Sequence, residues 1–521
     1  MKRSLFSLVT PLFLLALGEH LFAQPSGQYV TIRSNYLTEV VQVQSSGGLV
    51  ANQTSWDGST DEQFIEATNA NGTVSFYSVS ACKYVSAHST SAQLVADSTT
   101  IGPQQEFQIL PSQFTGWANA GTDSVIVSPA LDTDWTIESS TNGAMYATTR
   151  DDAGGYQNMS VMPAPILPGG SNTNYPQSGA DVSEGLGAQE AGIVFKDTNG
   201  ASGDYLKILS NHGVKWVRCR INVNPVLTPD NYGILQTTQY VTQVLSAAKA
   251  DGFKLLLDFH FSDTWASPSA QTTPAAWSTT SLSTLEGQLQ AYVDSVLGTL
   301  AANNAWPDMI QLGNEVDGGM LWPLGNAWVN GNWNPDYATL YNTAYSAVSS
   351  SASQLSKPMP KIMIHLSSSA NLGSTRFFLD SALNAGMKFD IVGLSYYEMW
   401  DGAVANMKAT IDEIYYRYPN VKIAVAETAY YYTPNVLSPT YPLTYPTTPA
   451  GQTQFLTDVM TQAGLNPNLN YVFYWGTHWD QPQYWYTPWP DSSGTAQDTA
   501  NRGLFDANGQ LLPAVSVLTS Y

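Results

Sequence analysis

From Ser178 to Tyr521 short apolar runs alternate with helical periodicity, and this alternation limits the fold more than any other feature of the chain. The runs are "VKWVRCRINV" (Val214–Val223), "FKLLLDFHF" (Phe253–Phe261), "MIQLGNE" (Met309–Glu315), "KIMIHLS" (Lys361–Ser367), "FDIVGLSYY" (Phe389–Tyr397), "VKIAVAE" (Val421–Glu427) and "YVFYWG" (Tyr471–Gly476). Continuous apolar runs of this length read as strands covered on both faces. "SGADVSEG" supplies a first strand and makes eight. Between them Val241, Val244, Leu245 and Ala248 follow i, i+3, i+4, i+7 and stop at Gly252. Leu285, Leu289, Tyr292, Val293, Val296 and Leu300 repeat the pattern. Eight such units predict a closed (β/α)8 barrel, the TIM-barrel architecture, with long loops. The competing open, doubly wound sheet is disfavoured, because no Gly-rich phosphate turn follows the first strand.

At 521 residues the chain exceeds one typical core, and a multidomain protein is expected. "VMPAPILPGGSNTNYPQSG" (Val161–Gly179), rich in Pro, Gly, Ser and Asn, reads as a linker. The segment before it repeats itself: "GLVANQ", "QLVADS" and "AMYATT" recur, followed by "DEQFIEA", "QQEFQIL" and "YQNMSV". Short alternating strands ("QYVTIRS", "TVSFYSV", "DSVIVSP") precede each copy, so a three-fold all-β assembly is predicted. The middle copy, with "KYVSA" and "QLVAD", resembles a fascin-like β-trefoil; that resemblance implies a carbohydrate-binding module or a spacer, with Trp56, Tyr84 and Trp135 as candidate ligand aromatics. At the N-terminus Lys2 and Arg3 precede an apolar run, Leu5–Leu17, with Ala23 at a small-residue cleavage point. This is an export-signal pattern, too short to span a bilayer comfortably. The expected organisation is a signal peptide (1–23), a β-trefoil (24–162), a linker (163–178) and the barrel (179–521), in a secreted or periplasmic chain.

Charge narrows the partners. With 20 Lys+Arg against 41 Asp+Glu, net −21, the chain lacks the basic clusters that bind phosphate, so neither nucleic acid nor an anionic membrane is expected. Its 15 Trp and 29 Tyr suit the flat apolar faces of neutral sugars. Cys82 and Cys219 fall in different predicted domains, which argues against a disulfide. The sequence holds no metal-spaced His/Cys cluster and no G-x-S-x-G elbow, so neither metal nor cofactor is expected.

Barrel enzymes keep their chemistry at the C-terminal ends of the strands. Those ends carry Arg218, Arg220 and Asn222; Asp258, His260, Asp263 and Trp265; Asn314 and Glu315; His365; Tyr396, Tyr397 and Trp400; Glu427; and Trp475, with His478 and Trp479 beyond. Arg218, Arg220 and Asn222 share a strand parity and so face one side. Glu315 and Glu427 each cap a strongly apolar strand, the fourth and the seventh. Glycoside hydrolysis needs two such carboxyls, a proton donor and a nucleophile or base. For either glutamate alone, a salt bridge or a helix-terminus role explains it equally well; the pair favours chemistry.

"GADVSEG", "VRCRINVNP", "DFHFSDTWASPSAQTTPAAW", "LGNEVDGGMLWPLG", "IMIHLS", "GLSYYEMW", "AVAETAYY" and "RGLFDANGQLLPAV" together resemble glycoside hydrolase family 53, the clan A endo-β-1,4-galactanases. The resemblance implies a monomeric (β/α)8 enzyme that cleaves β-1,4-galactan and arabinogalactan side chains of pectin with retention. It implies Glu315 as acid/base, Glu427 as nucleophile and Asn314 on the sugar 2-hydroxyl. It further implies Arg218 or Arg220 beside the nucleophile, Tyr397 or Tyr396 donating to it, Trp475 as a sugar floor, and His260, Asp263, Trp265, His365 and Trp400 around the subsites. The chain departs from the family pattern at Asn222 (commonly Trp), at Glu398 (commonly Pro) and at "WGTHWD" (commonly Glu-Pro after the Trp). Some bacterial relatives bind calcium in a late loop, and no matching ligand set is legible here. Two other readings stay open: a clan A hydrolase of another neutral plant glycan, and a catalytically weak carbohydrate-binding protein.

Overall fold

The computed structural model describes residues 27–54, 59–113, 123–137, 143–150, 155–164, 176–190, 192–225, 236–434, 439–476 and 501–519. The predicted signal peptide, Trp56, most of the linker, His478 and Trp479 lie outside the described residues.

The N-terminal region is all β. Its strands are β1 (Gln28–Ser34), β2 (Glu39–Val43), β3 (Leu49–Gln53), β4 (Phe64–Thr68), β5 (Val74–Ser78), β6 (Lys83–Ser86), β7 (Val95–Ser98), β8 (Gln108–Pro111), β9 (Ser124–Ser128), β10 (Thr133–Ile137), β11 (Met145–Thr149) and β12 (Met159–Pro163). They pair antiparallel throughout. The three sequence repeats meet one another: Leu49 N–H donates to Leu94 O (2.9 Å), Leu94 N–H to Met145 O (2.9 Å) and Ala51 N–H to Gly143 O (2.7 Å). Leu49, Leu94 and Met145 are fully buried, as are the matching Phe64, Phe107 and Met159. No copy can cover this face alone, so burial itself holds the three together. Trp135 belongs to that core, its ring 5.4 Å from Phe76 and 5.0 Å from Phe107. This overturns its candidacy as a ligand aromatic: a residue with no exposed surface cannot stack on a sugar.

The second region is a closed parallel barrel of β13 (Gln177–Asp181), β14 (Trp216–Ile221), β15 (Lys254–Phe259), β16 (Met309–Leu312), β19 (Lys361–Leu366), β20 (Ile391–Tyr396), β21 (Lys422–Thr428) and β22 (Leu469–Tyr474). A short hairpin, β17 (Trp328–Val329) and β18 (Asn332–Trp333), rises from the loop after β16. The helices are α1 (Gly185–Glu190), α2 (Tyr205–Asn211), α3 (Thr238–Ala250), α4 (Leu282–Ala302), α5 (Pro335–Gln354), α6 (Leu372–Asn384), α7 (Glu398–Asp401), α8 (Val404–Arg417), α9 (Pro449–Gly464) and α10 (Val515–Thr519). Strand β12 ends at Pro163 and β13 begins at Gln177, so the first barrel strand starts inside the stretch read as linker.

Strand parity separates two cores. Val217, Cys219 and Ile221 face the helices, with Val241, Val244, Leu245 and Ala248 of α3 packed over the same layer. Trp216, Leu256, Met309, Met363, Ile391, Ala424 and Phe473 fill the barrel interior. Arg218 and Arg220 share the parity of Trp216, so they point inward above that plug. Apolar layers close the base, and polar groups collect at the mouth.

The all-β region docks on α8. Arg33, 1% exposed, pairs with Glu413 and lies 5.1 Å from the centre of the Tyr416 ring. Thr31 Oγ1 and Tyr416 OH are 2.5 Å apart, and Tyr415 OH donates to Pro163 O at 2.8 Å. These contacts use the C-terminal turns of α8, which lie at the base end of a barrel helix, so the all-β region sits away from the mouth.

Candidate active site

The residue that would carry acid/base chemistry is set by a backbone break. After Leu312, Gly313 takes φ +83°, and a Cβ there would lie 2.4 Å from Val316 Cγ1. Glu315 follows in the left-handed region (φ 50°, ψ 58°), which non-glycine residues seldom occupy. Gln271 secures the turn: its Nε2 donates to Asn314 O (2.7 Å) and reaches Glu315 O (3.2 Å). The turned chain presents the Glu315 carboxyl to the mouth. Ser395 Oγ donates to its Oε1 at 2.7 Å.

Glu427 ends β21. A register shift in the β20–β21 ladder sets Ser395 opposite Glu427 rather than opposite Ala426; such bulges re-aim side chains beside active sites. Arg218 Nη2 lies 2.9 Å from Glu427 Oε1, and Tyr397 OH donates to Oε2 at 2.9 Å. The Arg218 guanidinium also meets Asp181 (2.7 Å), Asp258 (2.8 Å), Gln311 Oε1 (3.1 Å) and Asn314 Oδ1 (2.9 Å). Every edge of the fork is used, a geometry that lysine cannot copy.

The two carboxyls therefore differ. Burial pushes Glu315 well above the usual carboxylate range, and the charge of Glu427 pushes it further, against the Ser395 hydrogen bond. Burial also raises Glu427, but Arg218 and the Tyr397 hydroxyl pull it back. Both stay above the usual carboxylate range, Glu315 the further of the two, so Glu315 is the group that keeps its proton when one of the pair ionises. Arg218 keeps its charge despite burial because Asp258, Glu427 and Asp181 surround it.

The other residues singled out in the sequence fall into two layers. Asn314 stands beside Glu315; its oxygen accepts from Arg218, and its nitrogen donates to Ala266 O at 2.9 Å, leaving one amide hydrogen. Tyr397 and Trp400 pack edge to face (5.0 Å), Trp475 lies perpendicular to Tyr397 (6.2 Å), and Trp400 is 48% exposed at the rim. Trp265 is half-buried with its ring centre 3.9 Å from the Arg220 guanidinium, which also pairs with Glu184.

Four others lie behind this layer. His260 is buried against Asp258 (3.1 Å) and accepts from Ala266 N–H on Nδ1 (3.2 Å). His365 is fully buried behind Asn314 and Ser395. Asp263 spends one oxygen on Asn224 N–H and the other on Ala275 N–H, each at 2.9 Å, so it ties loops together. Tyr396 is a correction: strand alternation turns it outward, where its OH donates to Gly402 O (2.8 Å) and its ring stacks on Phe455. In the all-β region Tyr84 is half-buried and packs edge-on against Tyr77.

Asn222 and Glu398, two departures from the family pattern, also turn inward to structural partners. Asn222 Nδ2 donates to Thr264 O (3.0 Å), and Glu398 accepts from Thr444 N–H (3.1 Å). Sequence reasoning passed over Ser395, Gln311, Asp181 and Arg502. The last is a buried cation 5.4–5.6 Å from the ring centres of Tyr397, Trp400, Tyr431 and Trp475, which it gathers around one charge. Ser395 had a usable signal, since it shares strand parity with Tyr397.

Two carboxyls on strands four and seven, one holding its proton more tightly than the other, with aromatic rings about them, meet the demands of glycosidic bond hydrolysis; the protein is a glycoside hydrolase. Residues 177–518 match glycosyl hydrolase family 53, and the chain belongs to that family. The probable arabinogalactan endo-beta-1,4-galactanase A of Neosartorya fischeri is 34% identical over 317 residues, covering 58% of this chain and 84% of the relative. The arabinogalactan endo-beta-1,4-galactanase of Thermothelomyces thermophilus is 30% identical and covers 65% of this chain and 97% of the relative. Among solved structures, the GH53 catalytic domain of Ignisphaera aggregans aligns over all of its length and 69% of this chain (32% identity, TM-score 0.60). A fungal beta-1,4-galactanase aligns over all of its length and 67% of this chain (30% identity, TM-score 0.58).

Proposed function

We propose that this protein is a secreted endo-β-1,4-galactanase that cleaves the neutral galactan and arabinogalactan chains of pectin with retention of configuration. The observation that carries the reading is the unlike treatment of the two carboxyls: Arg218 and Tyr397 converge on Glu427, while Glu315 is left half-buried beside it with no cation of its own in contact among the described residues. Glu427 attacks the anomeric carbon as Glu315 passes its proton to the leaving oxygen. Water then gives a proton to Glu315 as its oxygen bonds to the anomeric carbon, and the Glu427 carboxylate departs. Asn314 directs its remaining amide hydrogen at the sugar hydroxyl beside the bond that breaks. Tyr397, Trp400 and Trp475 provide apolar faces for the rings, and Trp265, backed by Arg220, provides another. The names of the relatives supply the galactan substrate; the neutral, aromatic mouth is compatible with it.

The N-terminal region is proposed to be a three-fold β-trefoil docked at the base of the barrel, and the first residues an export signal cleaved near Ala23. Among the described residues no helix is long and apolar enough to cross a membrane.

The decisive experiment follows reducing-end release on pure galactan, mannan and β-glucan, with the anomer of the first product read by proton NMR. Galactan is expected as the preferred polymer and the β-anomer as the first product; preference for another polymer, or an α-anomer, overturns that part of the reading. Glu315→Gln and Glu427→Gln should each abolish most turnover, and full turnover in either refutes the role given to it.

A further inference from the structure

Behind Glu315 lies a chain of buried groups that the double displacement does not itself use. Ser395, on the inward face of β20, is 2% exposed and donates to Glu315 Oε1 at 2.7 Å. Its oxygen is 2.9 Å from Nε2 of His365, which is fully buried on β19. The other imidazole nitrogen, Nδ1, is 3.1 Å from Gln311 Nε2, 3.4 Å from the Glu315 backbone N–H and 3.0 Å from Asn314 Oδ1.

The orientation of both amides is fixed by Arg218, which can only donate. It donates to Gln311 Oε1 and to Asn314 Oδ1, so the Gln311 atom facing the imidazole is the NH₂ group. Nδ1 thus faces two N–H donors and one oxygen already engaged by a guanidinium. A neutral imidazole in this setting accepts at Nδ1 and carries its hydrogen on Nε2, toward Ser395. We propose that His365 and Ser395 form a positioning relay, Nε2–H to Oγ and Oγ–H to Glu315 Oε1, which keeps the transferable proton of Glu315 on its other oxygen and steadies the carboxylate once the proton has left. The proposal rests on the acid/base role given to Glu315.

The relay has work in both half-reactions. In the first, the Glu315 proton goes to the glycosidic oxygen and the sugar bond passes from that oxygen to Glu427. The carboxylate that remains takes a full hydrogen bond from Ser395. In the second, Glu315 receives the proton of the attacking water, and the same bond favours its return to the oxygen that Ser395 leaves free. The register shift in the β20–β21 ladder, which sets Ser395 opposite Glu427, marks the same residue independently.

Other charged groups bearing on this pair are Glu427 on β21, Asp317 in the loop after Glu315, and Arg218 on β14. Those bearing on His365 are Arg218, Asp258 and His260. Burial, joined by the Arg218 charge, holds His365 far below the usual imidazole range, so it stays neutral through the working pH.

The test is the pH dependence of kcat/KM on galactan, with melting temperature as a check on folding. The basic limb reports Glu315 in the free enzyme. Ser395→Ala should move that limb up by about one pH unit, a tenfold change in the proton affinity of Glu315. His365→Leu should move it the same way. His365→Gln, whose amide nitrogen can still donate toward Ser395, should return the limb most of the way to that of the parent. Ser395→Ala/His365→Leu should move it no further than Ser395→Ala alone. An unmoved limb in folded Ser395→Ala, or additive shifts in the double variant, overturns the relay. Should Ser395→Ala fail to fold, the His365→Leu and His365→Gln pair decides: equal limbs in the two refute the relay, and a limb raised only in His365→Leu supports it. Glu315→Gln separates the two claims, because full turnover there refutes the acid/base role, whereas an unmoved Ser395→Ala limb beside an inactive Glu315→Gln refutes the relay alone.

Discussion

Replacing Tyr397 by Phe removes one oxygen and leaves the ring. The lost contact is the 2.9 Å hydrogen bond to Glu427 Oε2. The ring keeps its edge contacts with Trp400 and Trp475 and its place beside Arg502, so the fold should survive. Burial, then the charge of Glu427, holds the phenol well above its usual range, so it is a neutral donor at every working pH. A hydrogen bond to a charged group contributes about 1.5–3 kcal/mol, and one pH unit corresponds to about 1.4 kcal/mol. Arg218 stays on the other oxygen at 2.9 Å and retains part of the stabilisation, so the lower end of that range applies. The bond favours the carboxylate; without it the proton affinity of Glu427 rises. The acid limb of kcat/KM on galactan should therefore move up by about one pH unit, with the basic limb, set by Glu315, far less affected. An acid limb that stays in place, in a variant with unchanged melting temperature, would mean that Tyr397 does not hold the nucleophile ionised.

Glu413→Ala leaves Arg33 buried at the domain junction without its carboxylate, and urea unfolding should show a loss of about 3–5 kcal/mol, most of it recovered in Arg33→Met/Glu413→Leu. A loss below about 1 kcal/mol would show that the junction is not closed in solution. Glu315→Gln should melt higher than the parent at pH 7. The folded state raises this carboxyl, so its contribution to stability is present at low pH and is lost as pH climbs past the unfolded value of about 4.3; the advantage of the glutamine should vanish below that pH. Equal melting curves at pH 7 would show that Glu315 carries no strain of charge.

Much of this was legible because a barrel makes strand parity and strand ends do most of the placing. Spacing alone set Arg218 and Arg220 on one shared face of their strand, and the helix faces of Val241, Val244, Leu245 and Ala248 followed from the 3.6-residue period. The same parity separates Tyr397, which meets Glu427, from Tyr396, which meets Phe455. Composition failed where an aromatic could serve either core or surface: Trp135 looks like a sugar platform in a list of residues and is the centre of a core in three dimensions. Asp263 shows the same limit, since only the folded loops reveal two backbone N–H groups on its oxygens. The docking of Arg33 on Glu413, 380 residues away, has no local signal at all.

One arginine accounts for how two glutamates of the same type come to differ in proton affinity. Arg218 is held in place by Asp181 on β13 and Asp258 on β15, groups too deep to meet substrate, and its remaining capacity is shared among Glu427, Asn314 and Gln311. The two aspartates keep the guanidinium charged, and Asp258 is itself held below the usual carboxylate range: Arg218 and His260 outweigh its burial. A fixed positive charge one contact from Glu427 and farther from Glu315 divides the pair, and once Glu427 is ionised its own charge discourages ionisation of Glu315. In the proposed mechanism the difference between nucleophile and acid thus originates in buried residues behind the two carboxyls. It follows that Asp258→Asn would alter both limbs of the pH profile, whereas changes at the rim, such as Trp400→Ala, would act on substrate binding and leave both limbs where they are.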